Sequence, residues 1–436
     1  MQTNFSATQL ADPQLAEANQ ILRACVHCGM CITACPTFRL LGDELDSPRG
    51  RIYLVKDLLE TGKAAGALVA THLDRCLTCL SCMTACPADV DYRHLVDLGR
   101  AHIERTYRRP LRERLVRRWL AWLLPRPAAF RLALMAALPF RPAARVLPGL
   151  LGRLLRSVPA RIEAPSPAAS SATFPAQGAR RMRVALLAGC VQQVLSPAIN
   201  EVTVRLLTRL GCEVVIAPRA GCCGALAQHL GEAEAARRAA RRNVAAWARL
   251  LDDKVGGLDA VVINASGCGT QVKDYGHLLK DDPAYAESAA RIAGLARDVT
   301  EVLDSLDISC SARPVRGLPV VAYHSACSLQ HGQRIHELPR RLLTDAGFDV
   351  RDVPQGHICC GSAGTYSLLE GELSERLLAE KIANLSRTGA EVVAAGNIGC
   401  IAQIAGAFPR PVVHTVELLD WASGGPEPGA LMRARR

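Results

Sequence analysis

Cys25, Cys28, Cys31 and Cys35 run into Pro36, and Cys76, Cys79, Cys82 and Cys86 run into Pro87, so C-x2-C-x2-C-x3-C-P is written twice. Three thiolates two residues apart reach three iron corners of a cubane from one tight loop. The fourth, three residues further on and carried into a helix, points away from that loop and serves the neighbouring cluster. The spacing therefore assigns Cys25, Cys28, Cys31 and Cys86 to one [4Fe–4S] centre. Cys76, Cys79, Cys82 and Cys35 belong to the second. A chain built on these two loops handles electrons.

Structural zinc is the alternative. Zinc favours two CxxC pairs separated by a knuckle of a dozen or more residues, whereas each quartet here is compressed and ends in proline. A disulfide framework fits less well. The first twenty residues are polar without an apolar core, so a cytoplasmic, reducing location is expected. There the 18 cysteines act as metal ligands or buried thiols.

A length of 436 residues with 49% hydrophobic content suits several globular parts. The net charge of +11 is unevenly placed: residues 100–161 hold fifteen arginines and two acids, and the remainder is slightly acidic. Within that segment Leu111, Leu115, Trp119, Trp122 and Leu123 recur at helical spacing, and five prolines from Pro125 to Pro148 cut the rest into short helices. No uncharged run there is long enough to span a bilayer. A basic amphipathic segment with interfacial tryptophan suits a membrane surface. Docking on a neighbouring domain or partner, with solvated arginines, is the competing reading. Nucleic acid is not expected, since no base-reading module is present.

Residues 161–180, rich in Ala, Pro and Ser, read as a flexible linker. Beyond them the chain repeats itself. Cys190 precedes Cys222–Cys223–Gly224 by the same interval that separates Cys327 from Cys359–Cys360–Gly361, and each unit closes with one more cysteine, Cys268 or Cys400. Strands are expected at 184–189, 214–218, 261–266, 320–325 and 392–397, and helices at 198–210, 231–252, 336–346 and 371–388. That alternation argues for an α/β unit with a largely parallel sheet, made twice. Cys190, Cys268, Cys327 and Cys400 follow strands, at the carboxyl ends where ligands sit. Each repeat thus gathers four thiols for a metal or redox role: Cys190, Cys222, Cys223 and Cys268, then Cys327, Cys359, Cys360 and Cys400. Cys212 matches Phe348 and needs only to be apolar, and Cys310 falls in a loop. His324, three residues before Cys327, is placed to hydrogen-bond or ligate a cluster, but it has no counterpart in the first unit, which favours a solvated or packing role. His27, Gly29 and Thr33 are candidate donors to cluster sulfurs. No GxGxxG after a strand, Walker loop or nucleophile–base arrangement is found.

Together the stretches CVHCGMCITACPTFRLLGDELDSPRGRIYLVKDLLE and HLDRCLTCLSCMTACPADVDYRHLVDLGR, the basic segment and the two CCG repeats resemble the iron–sulfur subunits of bacterial glycolate oxidase. The wider family takes in glycerol-3-phosphate and lactate complexes and the CCG subunit of heterodisulfide reductase. The resemblance implies a multidomain chain. Residues 1–105 would form an α-helical two-cluster ferredoxin-like domain, and 106–180 the basic segment and linker. Residues 181–305 and 306–436 would be duplicated α/β CCG units. It implies two [4Fe–4S] clusters with room for one further iron–sulfur cluster per CCG unit. Partners would be FAD flavoprotein subunits, with membrane quinone or the membrane surface met through residues 106–156 on the inner face of the cell membrane. The chain would be the non-flavin subunit of a glycolate dehydrogenase, performing no substrate chemistry alone; the alternatives are the same role in a glycerol-3-phosphate or lactate dehydrogenase complex, or a stand-alone CCG-type reductase. Both repeats carry glutamine, Gln271 and Gln403, where the heterodisulfide-reductase unit has a fifth cysteine.

Overall fold

In the computed structural model, residues 1–253, 256–308 and 317–435 are described; Cys310 lies outside them. The N-terminal part is helical, and its helices start where the sequence supplies caps. Asp12 caps Pro13–Ala24, Ser47 caps Pro48–Thr61 and Asp91 caps Tyr92–Thr106, the first two with proline in the opening turn. Cys35 occupies the cap position of Pro36–Leu41, which explains the Cys–Pro pair. The second quartet differs: Cys86 is followed by a turn through Asp89, at φ 46°, before the helix at Tyr92. Ile52, Val55, Leu73, Leu95 and Ile103 form the core of this part, with Cys25, Cys76 and Cys82 inside the same cluster of side chains. At Gly99 a Cβ would sit 2.8 Å from a Val55 methyl, so the long helix can approach only without one.

The basic segment folds into helices Leu111–Leu123, Pro127–Ala137 and Gly149–Arg156. One face packs, through Leu120, Leu123, Phe130 and Leu134, against Val194 and Leu226 of the first α/β unit and Leu368 of the second. Among the described residues no single helix is long and apolar enough to cross a membrane. Leu111–Leu123 and Pro127–Ala144 pass that test only as a pair, bent by 118°.

The first sheet comprises β1 (Ala172–Phe174), β2 (Met182–Leu186), β3 (Cys212–Ile216), β4 (Ala260–Ile263) and β5 (Ala296–Asp298), in the order β1-β3-β2-β4-β5. Only β1 runs antiparallel, pairing Thr173 with Val215. It lies in the stretch expected to be a flexible linker. The second sheet holds β6 (Val321–His324), β7 (Val350–Arg351), β8 (Val392–Ala395) and β9 (Val412–His414), in the order β7-β6-β8-β9, all parallel. The five expected strands correspond to β2, β3, β4, β6 and β8. The four expected helices are Ala198–Arg209, Ala233–Leu251, Leu338–Asp345 and Gly371–Arg387. The other four strands have two or three residues each, too short for periodicity to register.

In both sheets the chain leaves the central strand, β2 or β6, to one side and then crosses to the other. That switch point sits above Cys190 and Cys327. The strands are apolar on both faces because helices cover both. Cys212 and Phe348 are both buried in the shared core, as their matched positions require. The two units are joined through that core and through Asp420, fully buried, which accepts from Arg205 Nε at 3.0 Å and Arg209 Nη2 at 2.6 Å.

Candidate iron–sulfur sites

Both N-terminal loops bend back on themselves at matching places. His27 and Gly29 have φ of 60° and 86°, and Thr78 and Leu80 have 50° and 63°. Left-handed residues between ligands turn successive backbone N–H groups inward, the concave arrangement that suits sulfide-bearing anions. Only one of these four positions is glycine, so the strain is borne by ordinary side chains. Cys25, Cys28, Cys31 and Cys86 line one cleft, whose wall Cys82 also reaches. Burial pushes the Cys31 thiol up to about 11, and the neighbouring Cys25, Cys86 and Cys28 add to it. Cys35 instead lies with the other trio: burial raises Cys79 and Cys82 well above the thiol range, and Cys35 acts on both. Thiols so placed cannot all ionise in water-free surroundings without a cation, so the donor set fits a metal cluster.

The second loop is set in a buried polar frame. Arg51, 1% exposed, donates to Asp46 at 3.1 Å and to the Thr37 hydroxyl at 3.0 Å, and approaches Cys35 Sγ at 3.9 Å. Arg100 donates to the Cys76 carbonyl at 2.6 Å, and the Tyr92 hydroxyl to Cys76 Sγ at 3.5 Å. Burial raises the Cys76 thiol, but Arg51, Arg100 and that hydroxyl outweigh it, leaving Cys76 below its ordinary value. Thr33, a candidate donor to sulfur through backbone or side chain, spends its hydroxyl on the Met30 carbonyl at 3.0 Å.

In each α/β unit the four cysteines meet at the carboxyl rim. Cys190 contacts Cys222, which contacts Cys223, which contacts Cys268. In the second unit Cys327 Sγ lies 3.9 Å from Cys359 Sγ, Cys359 contacts Cys360, and Cys360 contacts Cys400. The glycine after each pair has positive φ, 94° at Gly224 and 85° at Gly361, and its N–H points at Cys222 Sγ or Cys359 Sγ at 3.5 and 3.4 Å. A π-helical turn, Ser328–Gly332, begins directly after Cys327. Around the thiols the rims diverge. In the first, Asn243 bridges the Cys222 carbonyl and the Tyr275 hydroxyl. Gly224 packs on Ala236 and Gly361 on Ser374, so two turns beyond each contact Asn243 answers to Lys381. Lys381 is 1% exposed. Burial lowers its pKa, against the pull of Cys360, Cys359, Cys400 and Cys327 around it.

A 4Fe-4S dicluster domain model matches residues 21–90, and a cysteine-rich (CCG) domain model matches 184–273 and 321–405. The chain is 41% identical to the glycolate oxidase iron-sulfur subunit of Escherichia coli K12, over 97% of its own length and 99% of that protein. It belongs to the family of glycolate oxidase iron–sulfur subunits. Within that family it is also 32% identical to a probable glycolate oxidase iron-sulfur subunit of Bacillus subtilis 168, over 92% of this chain and 94% of the relative. Lactate utilization protein A of Bacillus cereus matches 55% of this chain at 29% identity, over 99% of its own length. An iron–sulfur protein is what the matched domains describe.

Of the solvated and packing roles expected for His324, burial removes the first. It is 1% exposed, no nitrogen or oxygen pairs with its ring, and it faces the thiols of Cys360 and Cys400. Burial lowers its pKa, which Cys360 partly offsets. Periodicity places it on a strand but says nothing of which rim it meets. Arg51, Tyr92 and Lys381 escape a sequence reading because each stands in a helix rich in charged residues, where nothing in the spacing marks the one that folds inward.

Proposed function

We propose that this chain is the electron-carrying, non-flavin subunit of a glycolate-oxidising complex. Cys25, Cys28, Cys31 and Cys86 hold one [4Fe–4S] cluster, and Cys35, Cys76, Cys79 and Cys82 the other. The observation that carries this reading is continuity between thiol sites: Cys79 packs with Cys359 and Cys327 in one side-chain cluster. Bound clusters accept and release single electrons. The chain keeps the second loop and the second CCG rim together and dry, with Tyr366 buried between them. Cys28 is exposed, which leaves the first loop as the accessible end.

Oxidation of glycolate to glyoxylate falls to FAD-bearing partner subunits, and this chain takes the electrons toward quinone. The E. coli and B. subtilis relatives support that substrate by their names. Residues 106–156 rest on the inner membrane surface: Leu111, Leu115, Trp119, Trp122, Leu132, Met135, Phe140 and Leu151 are exposed there among exposed arginines. The lactate utilization relatives favour a second reading, with lactate as the substrate.

Anaerobic titration of the chain with its co-purified flavoprotein partners separates these readings. Glycolate should bleach the cluster absorbance only when flavoprotein is present, and lactate should act far more slowly. Reduction by lactate alone, or turnover by the isolated chain, would remove the first reading.

A further inference from the structure

We propose that His324 ligates the iron–sulfur centre of the second CCG unit, so that the two duplicated units hold chemically different centres. The proposal takes up the expectation, set by the family resemblance, that each CCG unit holds one further iron–sulfur cluster.

The geometry is that of a donor set. His324 ends the central strand β6, three residues ahead of Cys327. A ring nitrogen of His324 and the sulfurs of Cys360 and Cys400 lie within 4.8 Å of one another. The imidazole is 1% exposed, and neither Nδ1 nor Nε2 has a nitrogen or oxygen partner; the Cys360 thiol is the polar group that reaches the ring. A buried imidazole left with a thiol, a weak partner, in place of water is costly. Coordination to iron removes that cost for one nitrogen. It needs no proton or electron to move, because a neutral ring donates a lone pair.

Duplication supplies an internal control. Leu187 stands three residues ahead of Cys190 on the equivalent strand path, 2% exposed and unable to ligate. The first unit therefore offers four sulfurs, and the second offers four sulfurs and a nitrogen. With five donors for the four corners of a cubane, imidazole takes the place of one thiolate, which removes a negative charge from the shell and raises the potential, as histidine does in other iron–sulfur centres. Lys381, buried against the same four thiols, acts in the same direction. The second-unit centre, which adjoins Cys79, then becomes the more oxidising of the two.

The test uses the full chain, purified anaerobically and assayed for iron, zinc and sulfide. Pulsed EPR then compares protein grown on unlabelled and on 15N-labelled histidine. Wild type should carry more than about eight irons, the content of two cubanes. It should show a strong nitrogen coupling that changes with the label and is absent from His324→Ala. His324→Cys should keep the iron and lower the potential of that centre. The labelling comparison needs no variant, so it decides even if His324→Ala misfolds. Iron above eight without a label-sensitive coupling would overturn ligation and leave the electron-transfer reading standing. Iron ending at about eight, or zinc in the second unit, would overturn both the inference and the filled-rim reading beneath it.

Discussion

Cys35 and Arg51 show how much one side chain decides. Cys35 belongs in sequence to the first quartet, yet it lies beside Thr37, Arg51 and the Cys76 loop. Cys35→Ser should therefore cost about four irons. The EPR signal of the cluster on Cys25, Cys28 and Cys31 should be unchanged; loss of that signal instead would mean that each quartet keeps its own cluster. Arg51 is different in kind, since it pairs with fully buried Asp46, which otherwise keeps Arg75 at 3.0 Å and His72 Nδ1 at 3.1 Å. Removing one partner of a buried pair costs about 3–5 kcal/mol. Arg51→Met should show that loss in thermal unfolding. It should also lower the potential of the adjacent cluster, because a positive charge beside Cys35 and Cys76 favours the reduced state. An unaltered potential would mean that Arg51 is structural only.

Helix Leu111–Leu123 is apolar on two opposed faces, and only one is covered. Leu120 is 1% exposed against the α/β units, while Leu111, Leu115, Trp119 and Trp122 are 44–67% exposed on the outer side. The spacing of the outer stripe was legible in the sequence except for Leu123, which lies on the covered face beside Leu120, and its orientation was not legible. Neither was the fate of the arginines, since Arg109 is buried on Asp74 at 2.6 Å and Arg117 near the same carboxylate at 3.4 Å, while Arg112 and Arg118 are exposed. The triple change Leu115→Ser, Trp119→Ser, Trp122→Ser should weaken binding to anionic vesicles by roughly tenfold or more. It should leave thermal stability nearly unmoved. Leu120→Ala should do the reverse, costing about 2–5 kcal/mol with vesicle binding intact. Unchanged sedimentation of the triple variant with vesicles would assign the stripe to a protein partner.

His94 joins the N-terminal part to the first α/β unit and makes their union pH-dependent. Its Nδ1 meets Asp91 at 2.5 Å and its Nε2 meets Asp274 at 3.0 Å. His277 stacks on its ring, bound in turn to Glu17, and Arg93 shares Asp274. Burial works against the charge, but the two carboxylates prevail and raise His94 to about 10. The stabilisation is therefore complete below an unfolded value of about 6.5 and is lost as pH climbs toward 10. Thermal midpoints of wild type should fall across that interval more steeply than those of His94→Gln. Parallel curves would show that this contact does not link folding to protons.

The cysteine spacing was enough to announce two clusters and a duplicated cysteine-rich half, because covalent reach between neighbouring thiols is a local property. The alternation of β2, β3, β4, β6 and β8 with their helices was legible too, since periodicity records which face is buried. Strands of two or three residues, the pairing of β1, the closeness of Cys79 to Cys327 and the inward turn of His324 and Lys381 arose only on folding. Each depends on which elements pack together, and partners distant along the chain leave no periodic trace.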